Sequence, residues 1–160
     1  MIAPCTTRLA TPDDSADLLA CLREAFEPYR AAYTPGAFAD TVLAPETLAL
    51  RLTVMTLFVA VAPGGSILGT IAAAIHGDDG HLRGMAVRTA AQGQGVAQKL
   101  LAAAESFLRT QHCRRVTLDT TAPLTRAIAF YRKNGYAPTG RVQDFYGMPL
   151  HEYAKDLRDD

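Results

Sequence analysis

Between Met85 and Ala97 the chain reads Met-Ala-Val-Arg-Thr-Ala-Ala-Gln-Gly-Gln-Gly-Val-Ala. A β-like run passes through a loop into Gln92-Gly93-Gln94-Gly95 and then into a helical pattern. Two glycines let the backbone approach a bulky ligand with no Cβ in the way. The unpaired N–H groups that open a helix, aided by its dipole, attract anions. Strand, glycine turn and helix start therefore make a cradle for a pyrophosphate. A plain flexible connection is also glycine-rich, so this run alone leaves both readings open. Two other phosphate loops can be tested directly. A Walker loop needs Lys-Ser/Thr after its last glycine, where Val96-Ala97 stand. A dinucleotide fingerprint wants a third glycine at Gln98 and a turn directly after the strand, yet Arg88 to Gln92 intervene. Asp119, ending the next strand, is the one feature in its favour.

The elements that must position this turn follow from periodicity. Thr7 to Ala10 is a short strand running into Thr11-Pro12-Asp13-Asp14, a helix start with Thr11 as cap and Pro12 at the first helical position. Leu18, Leu19, Leu22, Ala25 and Phe26 carry that helix to Pro28. Residues 34–52 are helical but broken by Pro35-Gly36 and Pro45, giving two short pieces. Thr56 to Ala62 and Ile67 to Ile75 are β-branched runs joined by Pro63-Gly64-Gly65-Ser66, a hairpin pattern; His81 to Val87 is the next strand. A helix from about Gln94 to Arg109 carries the apolar stripe Val96, Leu100, Ala103 and Phe107. Arg115 to Asp119 reads as a buried strand. A helix with Ala127, Ile128 and Tyr131 follows and stops at Asn134-Gly135, before strands at Tyr136 to Phe145 and Met148 to Asp156. On that stripe, Tyr131 reads first as packing. The order β-α-α-β-β-β-α-β-α-β-β describes one mixed α/β layer structure, a single domain over 1–160.

Composition narrows the class. With 160 residues, 49% apolar and 20% charged, the chain has material for a substantial core and is not of disordered type. Sixteen basic and sixteen acidic side chains cancel, which argues against nucleic-acid or anionic-membrane partners. The charge is nevertheless split. Residues 1–80 hold four basic and nine acidic residues, residues 81–160 twelve basic and seven acidic, giving −5 and +5. Such a split fits a site holding an anionic ligand in the second half and drawing a cationic one to the first. No apolar run reaches membrane-spanning length, and Met1 to Cys5 has no leader pattern. Cys5, Cys21 and Cys113 are too few and scattered for a disulfide or zinc framework, and the four histidines lack ligand spacing, so no metal is expected. The adjacent His112 and Cys113 point apart and make no nucleophilic pair. A cytoplasmic protein with reduced thiols is the resulting expectation.

Gln92-Gly93-Gln94-Gly95-Val96-Ala97 resembles the acyl-CoA-binding signature of the GNAT superfamily of acetyl-CoA-dependent N-acetyltransferases, Gln/Arg-x-x-Gly-x-Gly/Ala. Ala127-Ile128-Ala129-Phe130-Tyr131-Arg132-Lys133-Asn134-Gly135-Tyr136 resembles the family's second signature, A-x-x-L/F-Tyr-x-x-x-Gly-Phe/Tyr. With the element order, the resemblance covers nearly the whole chain. It implies a V-shaped sheet of about seven strands, flanked by four helices and splayed between the fourth and fifth strands. It further implies acetyl-CoA as cosubstrate, with the backbone of Met85, Ala86 and Val87 on its pantetheine arm and the amides from Gly93 to Ala97 on its pyrophosphate. Gln92, Thr120, Ala127 and Phe130 join the same binding set. Where the family often has Asn, this chain has Leu124, so one hydrogen bond to the arm is absent or comes from Thr120, Thr121 or Thr125. Family pairing through sheet edges makes a homodimer possible.

In a direct transfer, an amine near pKa ~10 must shed a proton and the departing thiolate, comparable to Cys at ~8.5, must gain one. Tyr131 stands where the family keeps its general acid. His81 lies four residues before Met85, so on a strand both point to the same face, and an imidazole titrates in the right range for a base. A surface histidine at a strand end is the plain alternative; His76, Asp78 and Asp79 border the same mouth. The acceptor is expected against residues 26–50 and the last hairpin, where Tyr146-Gly147 either lines the pocket or simply turns. The acids Glu27, Asp40, Glu46, Asp78 and Asp79 point to a cationic amine, small or peptidic. The competing expectation is an acyl-CoA-binding sensor or interaction module on the same scaffold, without turnover.

Overall fold

A computed structural model describes residues 4–158; the first three residues of the Met1 to Cys5 segment and the last two of the chain lie outside it. Seven strands form one mixed sheet: β1 (Thr6–Leu9), β2 (Thr56–Val61), β3 (Ile67–His76), β4 (Asp79–Val87), β5 (Arg115–Thr120), β6 (Ala137–Phe145) and β7 (Met148–Asp156). Their spatial order is β1-β2-β3-β4-β5-β7-β6, antiparallel throughout except for the β4–β5 pair. The helices are α1 (Ser15–Phe26), α2 (Pro35–Val42), α3 (Pro45–Val54), α4 (Val96–Thr110) and α5 (Thr125–Lys133). Among the described residues there are five helices where the resemblance implied four, because residues 34–52 form the two short pieces expected from Pro35-Gly36 and Pro45. Leu43, at φ 67°, turns the chain between Pro35-initiated α2 and Pro45-initiated α3, so that stretch cannot run through as one helix.

The helices divide between the two faces of the sheet. Leu18, Leu22 and Phe26 of α1, with Phe38, Val42 and Leu48 of α2 and α3, pack on Leu57, Val59, Ala72 and Ala86. On the other face Val96, Leu100, Leu101 and Leu108 of α4, with Tyr131 of α5, cover Phe58, Ile71, Leu82, Val116 and Leu118. Leu100 and Leu108 are fully buried, and truncating either to Ala would cost about 2–5 kcal/mol. The entry to α1 is stapled: Asp14 accepts the Thr11 amide at 2.8 Å and the Arg8 guanidinium at 2.8 and 2.9 Å.

One irregularity bears on the site. Thr70 pairs with Ala86 and Ala72 with Arg83, so Ile71 faces both Gly84 and Met85 across a β-bulge, with Gly84 at φ +64°. The bulge shifts the alternation of β4. His81 and Arg83 share the Ala72 face covered by α1 to α3, whereas Met85 lies with Leu82 and Val87 on the α4 face. The expectation that His81 and Met85 point to one side is therefore corrected: an inserted residue reverses side-chain parity.

Candidate active site

β4 and β5 pair from Asp79–Arg115 to Leu82–Leu118, and there the ladder stops. Beyond that point Arg83 to Val87 stay paired to β3, while their β5-facing edge has no strand partner. The opening becomes a cleft of about 890 Å³ that reaches both faces of the sheet. Its lining includes Met85, Ala86, Val87, Gln92, Gly93, Gly95, Val96, Ala97, Thr120, Ala127, Phe130, Tyr131 and His81. Of the residues put forward in the sequence for catalysis or cosubstrate binding, Gln94 is outside this lining, as are the lesser candidates Asp78, Asp79 and Thr125. The Gln94 side chain folds back onto the Ala90 carbonyl at 3.1 Å.

At the α4 end, Gly93 and Gly95 adopt φ +76° and +83°, and the second of these caps the helix with no side-chain hydrogen bond. Among the described residues, the backbone amides of Gly93 to Gln98 have no hydrogen-bond acceptor. A Cβ on Gly93 would meet no protein atom within 4 Å, so the space above the turn is open to a ligand. Gln92 fixes the loop, donating to the Val87 carbonyl at 3.2 Å and accepting from Arg126 at 2.7 Å. At the β5 rim the Thr120 hydroxyl is buried without a partner among the described residues, whereas Tyr33 and Thr121 share a hydrogen bond of 2.7 Å. Unpaired amides at one end and an orphaned hydroxyl along the arm fit a long ligand with an anionic pyrophosphate and a polar pantetheine chain.

Tyr131 is 7% exposed, edge-on to Phe130 and Tyr136 with ring centroids 5.6 and 5.8 Å away. Burial raises its pKa well above the ordinary tyrosine value, so the phenol remains protonated at neutral pH. No hydrogen bond holds its hydroxyl among the described residues, and the side chain lines the cleft. Across the splay His81 is held by β5: Nδ1 lies 2.7 Å from Thr117 Oγ1, and Nε2 lies 3.4 Å from Asp119 Oδ2. A smaller recess of about 330 Å³, lined by His76, Asp79, Arg115 and Glu152 among others, adjoins at His81.

The acids expected to draw a cation do not converge. Asp40 lines the cleft but is bound by Arg83 at 3.1 Å; Asp79 lines only the smaller recess. Glu27 pairs with Arg30 outside, and Glu46 and Asp78 are exposed away from the cleft. Tyr146 does not line the cleft either; it accepts from Thr34 at 2.7 Å and packs over Gly36, fastening α2 to the last hairpin. Three lining residues owe their place to the fold: Arg51 and Arg126 had no signal in the sequence, and Asp119 carried only the dinucleotide reading. Asp119 acquires its place by parallel pairing of β4 with β5, Arg126 by docking on Gln92, and Arg51 by the approach of α3 to the Gly84 bulge.

Comparison with known proteins places this geometry. The model of the acetyltransferase (GNAT) family matches residues 18–136. An aminoglycoside N(6')-acetyltransferase type 1 of Stenotrophomonas maltophilia is 31% identical, over 93% of this chain and 96% of that protein. The uncharacterized YdhI of Bacillus subtilis is 35% identical over 79 residues, which span 49% of this chain and 48% of YdhI. Among solved structures, the PaiA N-acetyltransferase of Thermoplasma acidophilum in complex with coenzyme A superposes with a TM-score of 0.80 at 18% identity. That match covers 96% of this chain and 99% of PaiA. The chain belongs to the GNAT acetyltransferase family. It is an acyltransferase whose cosubstrate is acetyl-CoA, as its two signatures implied.

Proposed function

We propose that the chain transfers acetyl from acetyl-CoA to a primary amine by direct attack in a ternary complex. Bound acetyl-CoA supplies an activated thioester. The amides of Gly93 to Ala97 hold its pyrophosphate, Thr120 and the free edge of Met85, Ala86 and Val87 its arm. The same edge offers fixed N–H groups for negative charge developing on the carbonyl oxygen. His81 removes the amine proton, directly or through water. Thr117 also donates to the Gly80 carbonyl at 3.4 Å, leaving a lone pair for a hydrogen on His81 Nδ1. In that tautomer Nε2 is the free base, and Asp119 stabilises the imidazolium that results. As the N–C bond forms and the C–S bond breaks, the Tyr131 hydroxyl gives its proton to the leaving sulfur. The products are the N-acetyl amide and free CoA thiol.

The observation that carries this reading is the arrest of β4–β5 pairing at Leu82–Leu118, which joins unpaired amides, a protonated phenol and a seated imidazole in one cleft. The test is thiol release from acetyl-CoA with a panel of amines, including an aminoglycoside because of the Stenotrophomonas relative. Turnover with at least one amine is expected. Tight acetyl-CoA binding with no thiol release from any amine, and binding indifferent to Tyr131→Phe, would mark a sensor instead.

A further inference from the structure

We propose that the acceptor is an amine that also carries a carboxylate close by, of the amino-acid class, and that Arg51 binds this carboxylate. The proposal rests on the acetyl-transfer reading and deepens it. Arg51 projects from α3 into the cleft and is 9% exposed. Among the described residues its guanidinium has neither hydrogen bond nor ion pair. A guanidinium taken from water without a partner is costly, and such groups are normally met by a carboxylate or phosphate. The cost is visible in its titration, since burial and then the nearby Arg83 pull its pKa down to about 10.

The neighbours do not supply the missing anion. Asp40, whose charge acts on Arg51, is engaged by Arg83 at 3.1 Å. Two guanidiniums thus share one carboxylate, leaving a net positive charge on this wall. The cosubstrate does not supply it either. α3 packs on the sheet face opposite α4, whose amides meet the pyrophosphate. The position is close to the chemistry: a Cβ on Gly84 would lie 3.0 Å from Arg51 Nη1, and Met85 is the next residue. A carboxylate gripped there by a planar fork of donors leaves its own amine only a few bonds away, at the splay. A polycationic amine would meet repulsion at the same wall.

The experiment compares free L-amino acids with their C-terminal amides in the thiol-release assay, with a polyamine as a third probe. The amide's amine is less basic, so solution chemistry alone favours the amide. The expected result is kcat/KM at least tenfold higher for some free acid than for its amide. In Arg51→Gln that ratio should shrink below about threefold. Arg83→Gln is the second variant should Arg51→Gln not fold: it frees Asp40 to neutralise Arg51 and should shrink the ratio likewise. Equal turnover of acid and amide, preference for the polyamine, or a ratio unchanged in the folded variants overturns the proposal. If no amine releases thiol, acetyl transfer fails as the function, and binding decides the site. In the presence of CoA, a melting shift by free acids, absent for amides and lost in Arg51→Gln, upholds it; no shift overturns it.

Discussion

β5 clamps His81 through Nδ1, 2.7 Å from Thr117 Oγ1, and sets Asp119 Oδ2 3.4 Å from its Nε2. The clamp exists because β4 and β5 run parallel and pair His81 with Thr117, two residues before Asp119. If the imidazole is the base, His81→Gln should lower kcat/KM by about 10²–10⁴ at neutral pH, with acetyl-CoA affinity within twofold. Asp119→Asn should cost about tenfold, and the double variant no more than His81→Gln alone, because the carboxylate acts through the ring. Additive losses in steady-state kinetics would assign Asp119 an independent role.

Tyr131 separates catalysis from packing in a single substitution. Its hydroxyl has no hydrogen bond to lose among the described residues, so Tyr131→Phe should leave stability near wild type while lowering kcat by about 10²-fold or more. The buried phenol also predicts a pH effect. Its folded pKa is raised by desolvation above the unfolded value of 10.0, so the stabilising difference is complete below pH 10 and is lost as pH rises further. Above about pH 10 the wild type should lose up to about 1.4 kcal/mol per pH unit relative to Tyr131→Phe, measured by urea denaturation. Parallel stability curves between pH 9 and 11 would contradict that burial.

The phosphate cradle can be probed at Gly93 with little structural confounding. An alanine there pays for its φ of +76° with about 1–2 kcal/mol of backbone strain, but its methyl meets no protein atom within 4 Å. Gly93→Ala should therefore remain folded and weaken acetyl-CoA binding by tenfold or more, while acceptor KM at saturating acetyl-CoA changes little. Calorimetric titration with CoA reads the loss; unchanged affinity would place the pyrophosphate elsewhere.

Much of this site is local and hence legible in the sequence. Gln92 to Ala97 and Ala127 to Tyr136 act through their own backbone or helix, and β7 begins at Met148 and ends at Asp156 as read from the sequence. What pairing decides was hidden. Gly84 inside the strand pattern is a hint of a bulge, but where the extra residue falls is defined by Thr70 and Ala72 on another strand. The parity of His81 against Met85 therefore came out inverted. Charge counting by halves failed for a similar reason: Asp40 meets Arg83, from the other half, and Arg51, one of four basic residues among the first eighty, is the one that reaches the cleft.

The aromatic wall behind Tyr131 depends on a buried charge. Tyr136 donates to Glu105 Oε2 at 2.6 Å, and Lys155 Nζ reaches both carboxylate oxygens at 3.1 and 3.2 Å, with Glu105 only 6% exposed. Tyr136→Phe removes one donor and leaves the buried carboxylate underserved, which should cost about 1–3 kcal/mol. Glu105→Gln keeps an acceptor for Tyr136 while removing the charge that pairs with Lys155 and Arg109, and should cost less than Glu105→Ala. Because Tyr136 supports the ring of Tyr131 at 5.8 Å without lining the cleft, Tyr136→Phe should change kcat by less than about fivefold where Tyr131→Phe changes it a hundredfold. Urea melts paired with kcat for the two phenylalanine variants give the contrast. Equal losses of activity would mean that the two rings act as one packed unit and that the Tyr131 hydroxyl moves no proton.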